Sequence, residues 1–102
     1  MQKTAYIVAA TRTAVARTTK KGGVLSTTSP VTLGGLILDG LVSKVPSLDP
    51  ADVDDVVMGC VSQVGPNAGN LGRHCVLASN LPMSVPGSTV DRQCGSGQEA
   101  IR

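Results

Sequence analysis

Short apolar runs alternate with segments of helical periodicity along this chain, and that alternation restricts the possible folds more than any other sequence feature. The runs cover Ala5 to Ala10 and Val56 to Val61, and a short third strand that carries Thr89 and Val90 is expected at Ser88 to Arg92. Continuous apolar runs of this length predict strands that are buried on both faces. The order strand, helix, strand, helix, strand predicts an α/β fold with a mostly parallel sheet.

Two segments with helical spacing separate these runs. Ser29 and Pro30 predict a helix start, because Ser is a good N-cap and Pro suits the first helical position. Apolar residues then predict one buried face that continues to about Val45: Leu33, Leu36, Ile37, Leu41 and Val45. A second helix is expected from about Asn70 to before Pro82, with three residues on its buried face: Leu71, Cys75 and Ala78.

The segment from Cys94 to Arg102 has helical composition after Gly97 and no Gly or Asn to cap its end. A helix that short is below the roughly 12–15 residues that are marginal in isolation. The chain has 102 residues, which suits one small domain. We therefore expect residues 1–102 to be an incomplete domain that ends inside this last helix and packs against more chain or a partner.

Composition excludes several classes of function. Hydrophobic residues make up 41% and charged residues 16%, which favours a folded core over a disordered tail. The net charge is only +2, and no aromatic residue interleaves with the basic ones, so nucleic-acid binding is not expected. No run approaches the roughly 20 apolar residues of a membrane span. Three cysteines without paired spacing and a single histidine predict no metal site and a reducing compartment, the cytoplasm or, in a eukaryote, an organelle matrix.

Cys94 is the residue best placed for chemistry. It follows the third predicted strand and precedes the small residues Gly95, Ser96 and Gly97. The positive end of a helix favours the thiolate form of a nearby thiol, and small neighbours leave room for a substrate carbonyl. Other acyl-transfer folds present their nucleophile at a similar strand-to-helix turn. Burial as a small hydrophobe is the commoner role of cysteine, and the residues alone leave both interpretations open.

The other candidate residues fit structural roles. Cys60 at the end of a strand and Cys75 on a helix face are expected in the core. His74 adjoins Cys75, but adjacent helix positions point apart, so we expect a surface histidine. Arg73 suits a bond to loop carbonyls better than a phosphate. Two glycine pairs lack the context of a dinucleotide site and are expected in turns or close packing: Gly22-Gly23 and Gly34-Gly35.

The segment VDRQCGSGQEAI (Val90 to Ile101) resembles the nucleophile motif of thiolases, the acetyl-CoA acyltransferases and acetyltransferases. The likeness covers nearly the whole chain and keeps the family's order: IVAATRT (Ile7 to Thr13), DVDDVVMGCVSQVG (Asp52 to Gly65), NAGNLGR (Asn67 to Arg73) and LPMSVPGSTVDRQC (Leu81 to Cys94). The chain departs from the family pattern at residues 14–17 and 65–67. Both departures fall in predicted loops, so they bear on substrate preference and not on the fold.

The resemblance implies a thiolase-like fold, with part of the first βαβαβαββ half and a mostly parallel sheet. It implies that the Cys94 thiolate takes an acyl group from 3-ketoacyl-CoA and passes it to a second CoA, or runs the reverse condensation, as part of fatty acid metabolism. Coenzyme A thioesters are then substrates, with no bound cofactor and no assigned cofactor-binding residues. It also implies a homo-oligomer that forms through Ser88 to Arg92.

In the family an activating His and a second Cys come from C-terminal segments, and Cys60, Cys75 and His74 do not match those motifs. The 102 residues alone are therefore expected to be inactive. Another condensing enzyme of the same superfold is disfavoured by the run Gln93 to Gly97, where such enzymes tend to carry Ala-Cys-Ser-Ser. A non-catalytic thiolase-like module for lipid binding or oligomerisation is not excluded by the sequence.

Overall fold

The computed structural model describes residues 2–102, in which helices and a two-stranded sheet follow one another along the chain. The elements in order are α1 (Pro30–Ser43), β1 (Val56–Gly59), α2 (Leu71–Ala78), β2 (Gly87–Val90) and α3 (Ser96–Ile101), with short 3-10 turns at Pro50–Asp52 and Gly65–Asn67. The two strands run parallel, with Val56 opposite Gly87 and Gly59 opposite Val90. The chain passes from β1 to β2 through α2, as a parallel pair requires. The predicted α/β class with a parallel sheet is thus confirmed.

The helix starts follow from local side-chain chemistry. The Ser29 hydroxyl accepts a hydrogen bond from the amide of Val31 at 3.2 Å, and Pro30 is the first residue of α1, as the sequence predicts. At the start of α2 the Asn70 side-chain oxygen accepts from the amide of Arg73 at 3.3 Å. Each cap satisfies an amide that has no partner inside its helix.

The prediction of a buried strand at Ala5 to Ala10 is wrong. The segment is irregular, and residues Tyr6, Ile7 and Val8 are 81%, 85% and 77% exposed. A strand depends on hydrogen bonds to a neighbouring strand. Within residues 2–102, β1 and β2 pair only with each other and leave this segment without a ladder. The apolar composition of this segment does not specify a neighbouring strand, and without one the segment does not form a strand.

The buried face of α1 also differs from the prediction. Leu36 is 61% exposed, whereas Gly34 and Gly35 are buried. A β-carbon added to Gly34 would overlap the sulfur of Cys75 in α2, so the missing side chain lets the two helices approach closely. Helical spacing of large residues did not reveal this face because glycines form it.

The core lies where α1, α2 and β1 meet. Its buried members are Val56, Val76, Leu81 and Val85, with Leu38, Val42 and Val53 packed against them. Val57 in β1 is 38% exposed, so the expectation that this strand is buried on both faces is wrong. The third predicted strand begins one residue earlier than expected and ends at Val90, which leaves Arg92 in the turn that follows. No helix within residues 2–102 is both long enough and apolar enough to cross a membrane.

Candidate active site at the β2–α3 turn

Cys94 lies in the turn between the end of β2 and the start of α3, as the sequence predicts. We call residues 91–95 the Cys94 turn. The thiol is exposed and free, and α3 begins two residues later at Ser96. Burial as a small hydrophobe, the structural alternative for this cysteine, is therefore wrong. The turn brings a free thiol to the surface beside the amino-terminal end of a helix.

The backbone of the Cys94 turn is tight. Gln93 has a φ of 49°, in the left-handed region that is unfavourable for a residue with a β-carbon. The Asp91 carboxylate accepts a hydrogen bond from the amide of Gln93 at 2.8 Å, which is the local bond that favours such a turn. The amide of Gly95 donates to the carbonyl of Arg92 at 3.0 Å and closes the loop around Cys94.

The side chain of Ser96 forms hydrogen bonds with backbone groups of the Cys94 turn. Its side chain is buried, with 4% of the residue exposed. The hydroxyl accepts from the amide of Arg92 at 2.9 Å and donates to the carbonyl of Gln93 at 2.7 Å. The amide of Ser96 also donates to the Gln93 carbonyl, at 3.1 Å. One small side chain thus satisfies two backbone groups that precede Cys94.

The start of α3 rests directly on the end of β1. A β-carbon on Gly59 would lie 2.5 Å from the carbonyl carbon and oxygen of Ser96 and 2.6 Å from the amide nitrogen of Gly97. Real side chains do not approach backbone that closely, so only glycine fits at this point of the strand. The absence of a side chain at Gly59 therefore determines how closely the start of α3, and with it the Cys94 turn, packs against β1.

An ion pair spans the exposed side of the site. The Arg92 guanidinium lies 2.6 Å from a carboxylate oxygen of Glu99, and Arg102 lies 3.4 Å from the other oxygen. Arg92 is largely exposed, so the pair adds little to stability. These side chains line a cavity of about 510 Å³ with three neighbours: Gly95, Gln98 and Ile101. Cys94 itself does not line this cavity.

The remaining cysteines and their neighbours lie in other environments. Cys75 is fully buried between α1 and α2, and its burial raises the pKa of the thiol above its ordinary value. Cys60 follows β1 and is half-buried, less than the core position that the sequence predicts. His74 is exposed, as predicted. Arg73 donates to the carbonyl of Val85 at 2.6 Å, which confirms the expected bond to a loop carbonyl.

The sequence singled out Cys94 as a candidate but did not indicate the residues that hold its turn. Asp91, Ser96 and Gly59 were not singled out, although an Asp two residues before a turn amide is a known local signal. The contact of Gly59 with α3 joins distant parts of the chain and has no local signal. Within residues 2–102, no three His, Cys, Asp or Glu side chains are grouped so that they could hold a metal ion.

Comparison with known proteins identifies relatives along nearly the whole chain. Residues 5–102 match the family model described as thiolase, N-terminal domain. The chain is 52% identical over 97 residues to a steroid 3-ketoacyl-CoA thiolase of Mycobacterium tuberculosis, which covers 95% of this chain and 23% of the relative. It is 41% identical to a beta-ketoadipyl-CoA thiolase of Acinetobacter baylyi, over 97% of this chain and 24% of that protein.

A solved structure supports the same grouping. The crystal structure of an acetyl-CoA acetyltransferase from Bacillus anthracis matches with a TM-score of 0.69 and 37% sequence identity, over 78% of this chain and 20% of that one. The chain thus spans about a quarter or less of the length of these relatives.

Proposed function

The chain belongs to the thiolase family, whose N-terminal domain it matches, and from this premise we propose that Cys94 is the acyl-accepting nucleophile of a 3-ketoacyl-CoA thiolase. The observation that carries the proposal is the exposed, free thiol of Cys94 in a tight turn between β2 and α3. Cys75, by contrast, is buried against Gly34 and offers no access to a substrate. A nucleophile must reach its substrate, and Cys94 satisfies that condition.

The proposed reaction proceeds in two steps. The Cys94 thiolate attacks the 3-keto carbon of the substrate, and a carbon–sulfur bond forms. The bond between the 2- and 3-carbons then breaks, the electron pair left on carbon 2 takes a proton, and acetyl-CoA leaves. The thiolate of a second coenzyme A attacks the resulting thioester and releases a shortened acyl-CoA together with the Cys94 thiolate. The covalent intermediate replaces one difficult step by two easier ones.

The substrate class that we propose is a 3-ketoacyl-CoA larger than acetoacetyl-CoA, cleaved in the degradative direction. The support comes from relatives whose names specify such substrates, with the steroid 3-ketoacyl-CoA thiolase at 52% identity. A panel of acetoacetyl-CoA, a medium-chain 3-ketoacyl-CoA and a steroid 3-ketoacyl-CoA tests this choice. Thiolysis of the bulky thioester at a higher kcat/KM than acetoacetyl-CoA supports it, and the opposite order contradicts it.

We propose that this activity belongs to a longer protein to which residues 1–102 contribute the nucleophile. The support is that the matched relatives are about four times longer and that Cys60, Cys75 and His74 do not match the family's acid/base motifs. The test compares acyl-CoA exchange by the 102-residue chain with exchange by a protein that carries it as its N-terminal domain. Turnover by the short chain alone would contradict the proposal.

We also propose that the family's homo-oligomer forms through the region of β2, at Ser88 to Arg92. Within residues 2–102, β2 pairs with β1 along one edge only. An unpaired strand edge offers amides and carbonyls that a second copy can bind. Light scattering over a range of protein concentrations tests this proposal. A dimer that dissociates on dilution is expected, and a monomer at every concentration would contradict it.

Cys94→Ser tests the central proposal. Serine keeps the size of the side chain but is a much weaker nucleophile than a thiolate at neutral pH. The variant should form no thioester with acyl-CoA and should lose thiolysis. Cys60→Ser provides the control, because Cys60 is half-buried and lies outside the Cys94 turn. Thiolysis by Cys94→Ser at the rate of the control would remove Cys94 from the mechanism.

A further inference from the structure

We propose that Ser96 is a positioning residue for Cys94, an inference that rests on the proposed role of Cys94 as acyl acceptor. The Ser96 hydroxyl contacts the two residues that precede the cysteine, at 2.9 Å to the amide of Arg92 and 2.7 Å to the carbonyl of Gln93. Ser96, which follows Cys94 in the sequence, thus holds the backbone of the two residues that precede Cys94. The thiol is carried on a loop that Ser96 closes.

The bonding pattern of Ser96 differs from that of a helix cap. A capping serine accepts from an amide two or three residues further along, as Ser29 does from Val31 in α1. Ser96 bonds backward along the chain instead, and the N-cap position of α3 is Gly95, which has no side chain to cap with. The hydroxyl therefore stabilises the Cys94 turn and not the helix.

The turn needs such support because of its backbone conformation. Gln93 has a positive φ of 49°, a conformation that persists only where the surrounding structure holds it. Its carbonyl accepts from both the amide and the hydroxyl of Ser96. Asp91 also holds Gln93, but Asp91 is exposed, whereas Ser96 is buried. A buried hydrogen bond is shielded from competing water and is the stronger constraint.

Loss of the hydroxyl should displace the thiol without removing it. A misplacement of about 1 Å at a reacting atom can reduce a rate by roughly 100-fold. We expect Ser96→Ala to slow acylation of Cys94 by about 10- to 100-fold and to lower kcat more than it changes KM. A residue that only stabilises the fold would leave the kcat of the folded molecules unchanged.

Ser79 provides a matched control. Its hydroxyl also donates to the carbonyl three residues earlier, that of Val76 at 2.7 Å, and accepts a backbone amide, that of Leu81 at 3.1 Å. The Ser79 hydroxyl thus makes the same number of hydrogen bonds to backbone groups as the Ser96 hydroxyl, but at the end of α2 and outside the Cys94 turn. Ser79→Ala should therefore cost comparable stability and leave the reactivity of Cys94 unchanged.

The experiment uses a protein that carries the whole thiolase sequence. Mass spectrometry follows two reactions of its cysteines: labelling by iodoacetamide and acylation by a 3-ketoacyl-CoA. Buried Cys75 reports the fold, because it is labelled only when the structure opens. The expected result for Ser96→Ala is protected Cys75, a changed labelling rate at Cys94 and slow acylation. If Ser96→Ala exposes Cys75, the Ser96→Thr variant is used instead. Threonine retains the hydroxyl, so Cys94 in this variant should be acylated at nearly the normal rate.

The inference would be overturned if Cys94 were acylated in Ser96→Ala at a rate within twofold of that in Ser79→Ala. It would also be overturned if Ser96→Thr kept Cys75 protected but were acylated as slowly as Ser96→Ala. Cys94→Ser separates this failure from failure of the proposed function. If Cys94→Ser retains thiolysis, the nucleophile assignment fails. If Cys94→Ser is inactive and Ser96→Ala acylates normally, only the role of Ser96 fails.

Discussion

Replacement of Gly59 by alanine tests how the Cys94 turn is held above the sheet. The new β-carbon would lie 2.5 Å from the carbonyl atoms of Ser96, and backbone atoms cannot rotate away as a flexible side chain can. The start of α3 must move by about 0.9 Å to reach an ordinary contact distance of 3.4 Å. Overpacking of this kind costs about 1–3 kcal/mol. Urea denaturation followed by circular dichroism should show that loss.

Gly97→Ala provides the matched control for this prediction. Gly97 lies in the first turn of α3, and a β-carbon there would meet no atom within 4 Å apart from its chain neighbours and the backbone of its own helix. Alanine is favoured over glycine in helices by about 1 kcal/mol, so this variant should be as stable as the native chain or more stable. A free energy of unfolding for Gly59→Ala within about 0.5 kcal/mol of the Gly97→Ala value would refute the reasoning from the close contact.

Three further perturbations address the helices and the buried thiol. Gly34→Ala should destabilise the chain by about 1–3 kcal/mol, because its β-carbon overlaps the sulfur of Cys75. Adding Cys75→Ala should recover part of that loss in a double-mutant cycle. Ser29→Ala removes the cap of α1 and should cost about 1 kcal/mol in urea denaturation. Burial raises the pKa of the Cys75 thiol in the folded state. The contribution of the buried thiol to folding stability is therefore fully present below the ordinary pKa of 9.0 and is lost as the pH rises above it, because the thiol then ionises first in the unfolded chain. The free energy of unfolding should therefore fall more steeply above that pH in the native chain than in Cys75→Ala.

Each of these predictions has a contradicting outcome. Additive losses for Gly34→Ala and Cys75→Ala would show that the two positions do not share space. An unchanged midpoint for Ser29→Ala would mean that the bond to Val31 does not contribute to α1. Identical pH dependence for the native chain and Cys75→Ala would show that the buried thiol does not titrate differently in the folded and unfolded states.

Much of the fold could be predicted because its signals are local. Ser29 and Pro30 predicted the start of α1, and the helix begins at Pro30 with Ser29 as its cap. The order of apolar and periodic segments predicted the parallel pairing of β1 and β2. The strand at Ala5 to Ala10 failed because strand formation depends on a neighbour, and within residues 2–102 no strand pairs with it.

The candidate site was predicted only at its central residue. Cys94 could be found because a thiol between a strand and small helix-starting residues forms a local pattern. The contact of Gly59 with Ser96 joins residues 37 positions apart and depends on how α3 packs against β1. The buried face of α1 was mistaken for a similar reason, since Gly34 and Gly35 are buried by what approaches them and not by their own hydrophobicity.

The most direct test of the account is to identify the residue that carries the acyl group. A protein that bears this chain is incubated with a 3-ketoacyl-CoA, quenched with acid and digested, and the peptides are analysed by mass spectrometry. The account predicts a thioester adduct on the peptide that contains Cys94 and none on those that contain Cys60 or Cys75. An acyl group found on another residue, with Cys94 unmodified while thiolysis proceeds, would contradict the central claim.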